Sequence, residues 1–305
     1  MKVTCVGCGN AFSKLLFNQS FLLEEDGRKL LLDCGSKIPM ALYHHGIELI
    51  DIDDIYISHL HGDHIGGLEE FAFGRFDWAM NPKPDKAVNF KNCTAPTLIC
   101  EKNMMKDLWS KSLSGGLESM EGFIADIDTF FLTKPISVDE TFDWMGWECK
   151  LIQQIHIVTG TKIMDTYGLF LSKEGHQTIY FTTDTQHYSH AQALVFLEQA
   201  DVIFHDCELT PFVTNVHANY IQLAGYKEAD TKKLPDSIKS KIKLVHYQDF
   251  KIDDKKMVVK NSPYDFYKAP SSQKEYVGFV PFDWDEQAKK DGFDGFIKLG
   301  QTFEF

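Results

Sequence analysis

Residues 58–71 read Ser-His-Leu-His-Gly-Asp-His-Ile-Gly-Gly-Leu-Glu-Glu-Phe, and they place three imidazoles and a carboxylate within positions 59–64. Two histidines at i and i+2 face the same side of an extended chain, so His59 and His61 can grip one metal ion. Gly62 is expected to let the backbone turn tightly, so that Asp63 and His64 present their groups to a second ion. Mixed imidazole and carboxylate donors suit zinc, manganese or iron better than calcium. Two such ions would acidify a bridging water and clamp the attacking and leaving oxygens of a displacement at phosphorus. Asp63 could then serve both as a ligand and as the group that orients or accepts the proton of that water.

A strand, Asp54 to Ser58, runs directly into this cluster. Before it, Lys2 to Val6, Phe21 to Glu24 and Lys29 to Asp33 are short apolar strands bounded by turn residues. Asp26-Gly27 is a hairpin signal between the second and third of these. Residues 37–46 read as a helix closed by Gly46. Its end carries His44 and His45, where the helix dipole favours positive charge. Later strands are expected at Thr97 to Cys100, Glu148 to Ile157, Gly168 to Ser172, Thr178 to Thr182, Val202 to His205 and Lys243 to Val245. Helical patterns fall at Met104 to Ser112 and His190 to Gln199. Strands first, then strands alternating with helices, predict an α/β protein with sheets packed face to face and helices outside. The expectation is one domain over 1–305, with insertions near 74–125 and 251–284. Gly74 to Asn92 and Lys251 to Tyr276 are its irregular stretches.

The chain has 305 residues and a net charge of -13, with 44% hydrophobic and 25% charged residues. That charge argues against a broad phosphate-binding surface and so against a long nucleic acid partner. It leaves room for a small anion held by local metal charge. The seven cysteines are odd in number and scattered, which argues against a disulfide framework. Cys5 and Cys8 form a lone C-x-x-C, read as structural. The opening MKVTCVG does not make a signal peptide, and no apolar run approaches the ~18 residues of a membrane span. A cytoplasmic protein is expected.

The H-x-H-x-D-H run resembles the metallo-β-lactamase superfamily, and the glycine after its second histidine is most similar to the ribonuclease Z-type phosphodiesterases. The opening VGCGNAFSKLLFNQSFLLEEDGRKLLLDCG is similar to that family's first hairpin, and KKDGFDGFIKLGQTFEF to its closing helix and strand. The resemblance implies an αββα sandwich and three further ligands, each at a strand end. His156 in LIQQIHIVTG, Asp184 in TIYFTTDTQ and His246 in KIKLVHYQDF occupy those places. It implies His59, His61 and His156 on one ion and Asp63, His64 and His246 on the other, with Asp184 shared. The segment ADVIFHDCELTPFVTNVHANYIQLAGY resembles the strand and loop that carry that family's Glu-His pair. Asp206 stands where the Glu would be and His217 where the later His would be. His217 would then donate the leaving-group proton and Asp206 would orient it. His205 is expected to pack under the site, His176 to sit in a turn, and His187 and His190 to be candidates for the pocket wall.

Enzymes of this type that process tRNA precursors carry a basic, glycine-rich arm between the third and fourth motifs. Here positions 157–183 leave no room for one. Together with the acidic charge, this points to a small phosphodiester. Relatives of trimmed build include cyclic-nucleotide phosphodiesterases, among them phage enzymes that degrade cyclic mononucleotides of bacterial immunity. The expected function is hydrolysis of a cyclic nucleotide with two divalent ions, zinc foremost. The alternatives are a ribonuclease Z-like endonuclease, a lactonase or thioesterase, and a non-catalytic nucleotide-binding protein. The aromatics of 251–284 (Tyr264, Phe266, Tyr267, Tyr276, Phe279, Phe282 and Trp284) read either as packing, or as a lid or homodimer contact on which a base could stack.

Overall fold

Asp26 and Gly27 both adopt positive φ, 47° and 82°, the left-handed pair that matches the twist of a two-residue hairpin. They join β2 (Ser20–Glu25) to β3 (Arg28–Leu32), and β2 also pairs antiparallel with β1 (Lys2–Gly7). The computed structural model describes residues 1–80, 95–187, 191–210, 213–226, 234–248, 250–252, 275–277 and 282–305. Onto β3 are added, in parallel, β4 (Asp54–Tyr56) and β5 (Thr97–Glu101). A minor hairpin follows, β6 (Ser119–Met120) with β7 (Phe123–Ile124), and then β8 (Leu132–Ile136) closes that side of the sheet.

The second sheet begins with β9 (Thr141–Trp144), β10 (Trp147–Thr159) and β11 (Lys162–Ser172), all antiparallel. It continues through β12 (Ile179–Thr183), β13 (Val202–Asp206) and β14 (Ile242–Val245). A short pair, β15 (Phe250–Ile252) with β16 (Glu275–Val277), precedes β17 (Gly295–Phe296) at this sheet's edge and β18 (Thr302–Glu304), which returns to β1. Two seven-stranded sheets result, ordered β18-β1-β2-β3-β4-β5-β8 and β17-β14-β13-β12-β11-β10-β9.

The parallel strands β12 and β13 are buried at every residue, which explains the consecutive apolar residues Ile179 to Phe181 and Val202 to Phe204 that open them. Phe21 of the first sheet meets Phe181 and Phe204 of the second at ring distances of 5.0 and 4.8 Å, so the sheets close face to face there. Nearer the histidines, the Tyr56 hydroxyl donates to the Tyr167 carbonyl at 2.7 Å, and the Tyr167 amide donates to the Ser58 carbonyl at 3.0 Å. Helix Ile38–His44 buries Ile38, Ala41 and Leu42 and exposes Met40 and Tyr43, as an outer layer requires.

Several local expectations change. Gly74 to Met80 continue a helix that starts at Leu68, and the rest of the stretch expected to be irregular lies outside the described residues up to 94. The helix expected from Met104 starts at Lys102, where the Glu101 carboxylate accepts from the Asn103 and Met104 amides. Strand β11 begins at Lys162, not Gly168, because the hairpin with β10 is longer than the apolar pattern suggests. Of the 251–284 aromatics, Trp284 is buried against Tyr220 and Phe296, so it belongs to the core and not to a lid. Tyr264, Phe266, Tyr267 and Phe279 lie outside the described residues. No cysteine is paired among the described residues, where Cys5, Cys8, Cys34, Cys100, Cys149 and Cys207 are free and buried. No helix among them is long and apolar enough to cross a membrane.

Candidate metal centre

Chain reversals at strand ends create the site. Asp33 after β3, Thr183 at the end of β12 and His246 after β14 are non-glycine residues with φ of 61°, 55° and 63°. Such residues cost roughly 1–3 kcal/mol each and persist where packing over-determines them. The bends bring Asp184 and His246 to the end of the second sheet, opposite the 58–64 segment. His156 arrives differently. It lies within β10 and not at a strand end, and the register with β11 shifts between Ile155 and Ile157, leaving His156 as a bulge. Bulges re-aim a side chain, and this one turns the imidazole into the site.

Gly62 has an ordinary φ and open space where a side chain would project, so the expected need for glycine there is not met. The steric demand falls on Gly35, where an added Cβ would sit 1.8 Å from the Asp63 carbonyl. Loop 33–35 can lie against the Asp63 turn only without a side chain at that point.

Three groups of donors share Asp184, and the third, with Asp206 and His217, overlaps the second at His246. In the first, His61 Nδ1 lies 3.1 Å from both His59 Nε2 and His156 Nε2, and Asp184 Oδ2 is 3.7 Å from the latter two. In the second, His64 Nε2 is 3.5 Å from Asp63 Oδ2 and 3.2 Å from Asp184 Oδ1. His246 Nε2 is 3.5 and 3.4 Å from the same two oxygens. Donors about 2.0–2.1 Å from a tetrahedral ion stand roughly 3.3 Å apart, so both sets have the edge lengths of a ligand shell. His64 Nε2 and Asp184 Oδ1 are buried and make no hydrogen bond, although each is close to the other. The two atoms converge, which is costly unless a proton or a metal ion is shared between them. The donors therefore fit two divalent ions, with Asp184 able to bridge them.

The outer nitrogens are fixed by neighbours. Asp33 Oδ2 receives the His64 Nδ1 proton at 2.8 Å and the Ser58 hydroxyl at 2.7 Å, and Ser58 Oγ lies 3.0 Å from His59 Nδ1. His156 Nδ1 donates to the Val216 carbonyl at 2.9 Å. These bonds aim each Nε2 inward, where it can serve as a ligand once it carries no proton. Asp33 and Ser58 carry no mark in the spacing of the histidine run. The signal available was the strand-end Asp-Cys-Gly, which is itself part of the family's opening hairpin.

Burial and the neighbouring His64 hold His59 well below the ordinary imidazole range. Burial likewise brings His156 down to about 4. Burial would also lower His64 and His246, but Asp184 with the other carboxylates overrides it, raising His64 well above its usual range and His246 to about 10. For Asp184, burial opposes ionisation, yet the surrounding histidines, His246 foremost, keep it ionised.

Asp206 and His217 meet beside this cluster. Asp206 Oδ2 accepts from His217 Nδ1 and from the Thr185 amide, both at 2.9 Å, and Asp206 Oδ1 lies 3.2 Å from His246 Nδ1. Burial lowers the His217 pKa, but Asp206 and Asp184 outweigh it and the net shift is upward. His217 Nε2 remains for other chemistry. His217 and His246 also line a cleft of ≈ 440 Å³ with residues of the 10–14 loop. His205 is buried with Nδ1 on the Asp206 carbonyl at 2.7 Å, under the site. His176 packs on Trp147. His187 belongs to none of the His/Asp groups among the described residues, and His190 lies outside them.

A family model described as Anti-Pycsar protein Apyc1 matches residues 1–271. The Anti-Pycsar protein Apyc1 of Bacillus phage vB_BveM-Goe7 is 32% identical over 255 residues, covering 81% of this chain and 89% of that protein. The protein of the same name from Paenibacillus harenae is 33% identical over 251 residues, covering 82% and 90%. Among solved structures, the metallo-β-lactamase fold protein YhfI from Bacillus subtilis superimposes with a TM-score of 0.63 at 16% identity, covering 100% of this chain and 98% of that one. The two mixed sheets are those of the metallo-β-lactamase fold.

Proposed function

The chain belongs to the Anti-Pycsar Apyc1 family, and from that premise we propose that it is a cytoplasmic dinuclear metal-dependent phosphodiesterase acting on a cyclic nucleotide. One arrangement carries the reading: two four-donor sets sharing Asp184, with an Asp206-held imidazole alongside. His59, His61 and His156 would hold one ion and Asp63, His64 and His246 the other. Zinc is the ion best matched to these donors. Bound there, the ions would supply Lewis acidity to the phosphate and a water acidic enough to attack at neutral pH.

The chain's own residues account for the protons. Asp63 Oδ2 belongs to the second set, which leaves the other oxygen of that carboxylate to orient the attacking water or accept its proton. His217, whose pKa Asp206 and Asp184 raise against the effect of burial, gives its Nε2 proton to the departing oxygen. Asp206 keeps Nδ1–H occupied, so only Nε2 faces the substrate. A ring-opened nucleoside monophosphate leaves with the proton that His217 supplied.

Elemental analysis should find about two metal ions per chain in the wild type. Asp184→Ala should lower that figure and abolish hydrolysis of cyclic mononucleotides. Full activity at near-zero metal content would overturn the reading. Turnover of nitrocefin or a lactone in place of every diester would reassign the reaction on the same fold.

A further inference from the structure

Loop 10–14 carries a feature that neither the metal sets nor the acid uses. Phe12 is 84% exposed, the aromatic end of a loop that is otherwise held tightly. Asn10 Oδ1 accepts from the Phe12 and Ser13 amides at 3.0 and 3.1 Å. The Asn10 amide donates to the Tyr247 carbonyl at 3.1 Å, and Lys37 Nζ donates to the Ala11 carbonyl at 2.8 Å. The loop is thus tied to the residue that follows His246. Single exposed rings are common on protein surfaces, but this one is held by a braced loop on the lining of the cleft that also contains His217 and His246, where it can meet a ligand.

The cleft is bounded by Asn10, Phe12, Glu208, His217, His246 and Gln248. Its lining therefore joins the candidate metal and acid groups to the Phe12 loop. Its ≈ 440 Å³ lies within the range of small-ligand sites. Two polar side chains on its wall are already oriented. Glu208 Oε2 accepts from the Thr214 hydroxyl at 2.8 Å, which leaves acceptor capacity on the same carboxylate. Gln248 Oε1 accepts from the Leu209 amide at 3.0 Å, so its remaining polar group is a donor.

We propose that this cleft is the nucleobase subsite, with Phe12 as the stacking platform and Glu208 and Gln248 as acceptor and donor for the base edge. The assignment rests on the cyclic-nucleotide reading of the adjoining centre. It places the phosphate at the metals and His217 and sends the base towards the 10–14 loop. A planar heterocycle satisfies both kinds of wall, giving a π-face to Phe12 and a hydrogen-bonding edge to Glu208 and Gln248. The 251–284 segment is not needed to supply a stacking ring.

The test compares binding of AMP with ribose 5-phosphate, which shares the phosphate but lacks the base. Wild type, Phe12→Ala and Phe12→Trp are titrated as metal-loaded full chains, and cyclic-nucleotide turnover is measured in parallel. The wild type should bind AMP the more tightly, and Phe12→Ala should remove roughly 5- to 150-fold of that preference. Ribose 5-phosphate affinity should stay unchanged, and Phe12→Trp should keep the preference. In turnover, Phe12→Ala should raise KM with kcat within about twofold. Equal wild-type affinity for the two ligands, or a preference for AMP that survives Phe12→Ala, would overturn the subsite. A changed oligomeric state with base preference intact would likewise overturn it, reassigning Phe12 to a subunit contact. Base preference lost as expected, with no cyclic nucleotide cleaved by the wild type, would uphold the subsite while sinking the proposed reaction.

Discussion

His217 and Asp33 separate two jobs that a cluster of imidazoles could blur. His217 stands outside both donor sets in the proposed assignment, so its loss should be chemical. His217→Ala should retain its metals and lower kcat on diesters with poor leaving groups by roughly 10²–10⁴-fold. Bis-p-nitrophenyl phosphate, whose leaving group needs no proton, should suffer far less. Equal losses on both substrates would remove His217 from the proton path. Asp33 acts through other residues: it fixes His64 directly and His59 through Ser58. Asp33→Asn preserves shape and tolerates the left-handed backbone, but it can turn an amide donor towards the His64 Nδ1 proton. Metal affinity should fall about 10–100-fold in metal-buffered titrations, with circular dichroism unchanged. Unaltered affinity would mean that the Asp33 contact does not tune the site.

At the scale of strands, the two sheets are pinned at the end remote from the histidines by buried or half-buried charge. Glu25, at the end of β2, takes the Lys173 ammonium at 2.7 Å, the Met1 amino group at 2.8 Å and the Trp147 indole at 3.3 Å. Burial opposes ionisation of Glu25, but these donors outweigh it and bring its pKa down to about 2 from the usual 4.5. A carboxylate with a depressed folded pKa contributes stability that is present above its unfolded value and is lost as pH falls through the folded one. Glu25→Gln should therefore lower Tm at pH 7 by roughly 1–2 °C, the loss of about 1 kcal/mol of charge contact in a chain of 305 residues. The gap between variant and wild type should close as pH drops from 4.5 towards 2. A gap independent of pH would show that Glu25 acts by packing and not by charge. The same strands explain why His156 was placed at a strand end by its sequence. An apolar run shows a strand, but a bulge appears only when the partner's register is known.

Taken whole, the molecule carries a charge of -13 around a small, cation-seeking centre. Long RNA is held by many phosphate contacts, and that binding falls steeply with salt in proportion to the charges neutralised. Between His156 and Asp184 the chain is occupied by the β10–β11 hairpin and β12, which agrees with the absence of an arm there. Cyclic mononucleotide turnover should thus vary weakly between about 50 and 200 mM salt, and a tRNA precursor should be processed poorly or not at all. Efficient 3′-end cleavage with a steep salt slope would show that the acidic surface was the wrong guide.

The parts of the protein legible without a fold were those governed by nearest neighbours. His59, His61, Asp63 and His64 mark a candidate metal site because their spacing fixes their directions within a few bonds. Asp26-Gly27 announces a hairpin because few residue pairs accept two positive φ angles. His156, Asp184 and His246 needed a family resemblance to be noticed at all, since a lone strand histidine carries no mark of its partner. Tertiary structure alone decided the rest: the bulge that aims His156, the Asp33 carboxylate that serves two histidines, Trp284 in the core, and Phe12 left uncovered beside the cleft. Each of these depends on which strand meets which, and in what register. Those choices are made by burying two sheets against each other, and no window of sequence contains both sides of that contact.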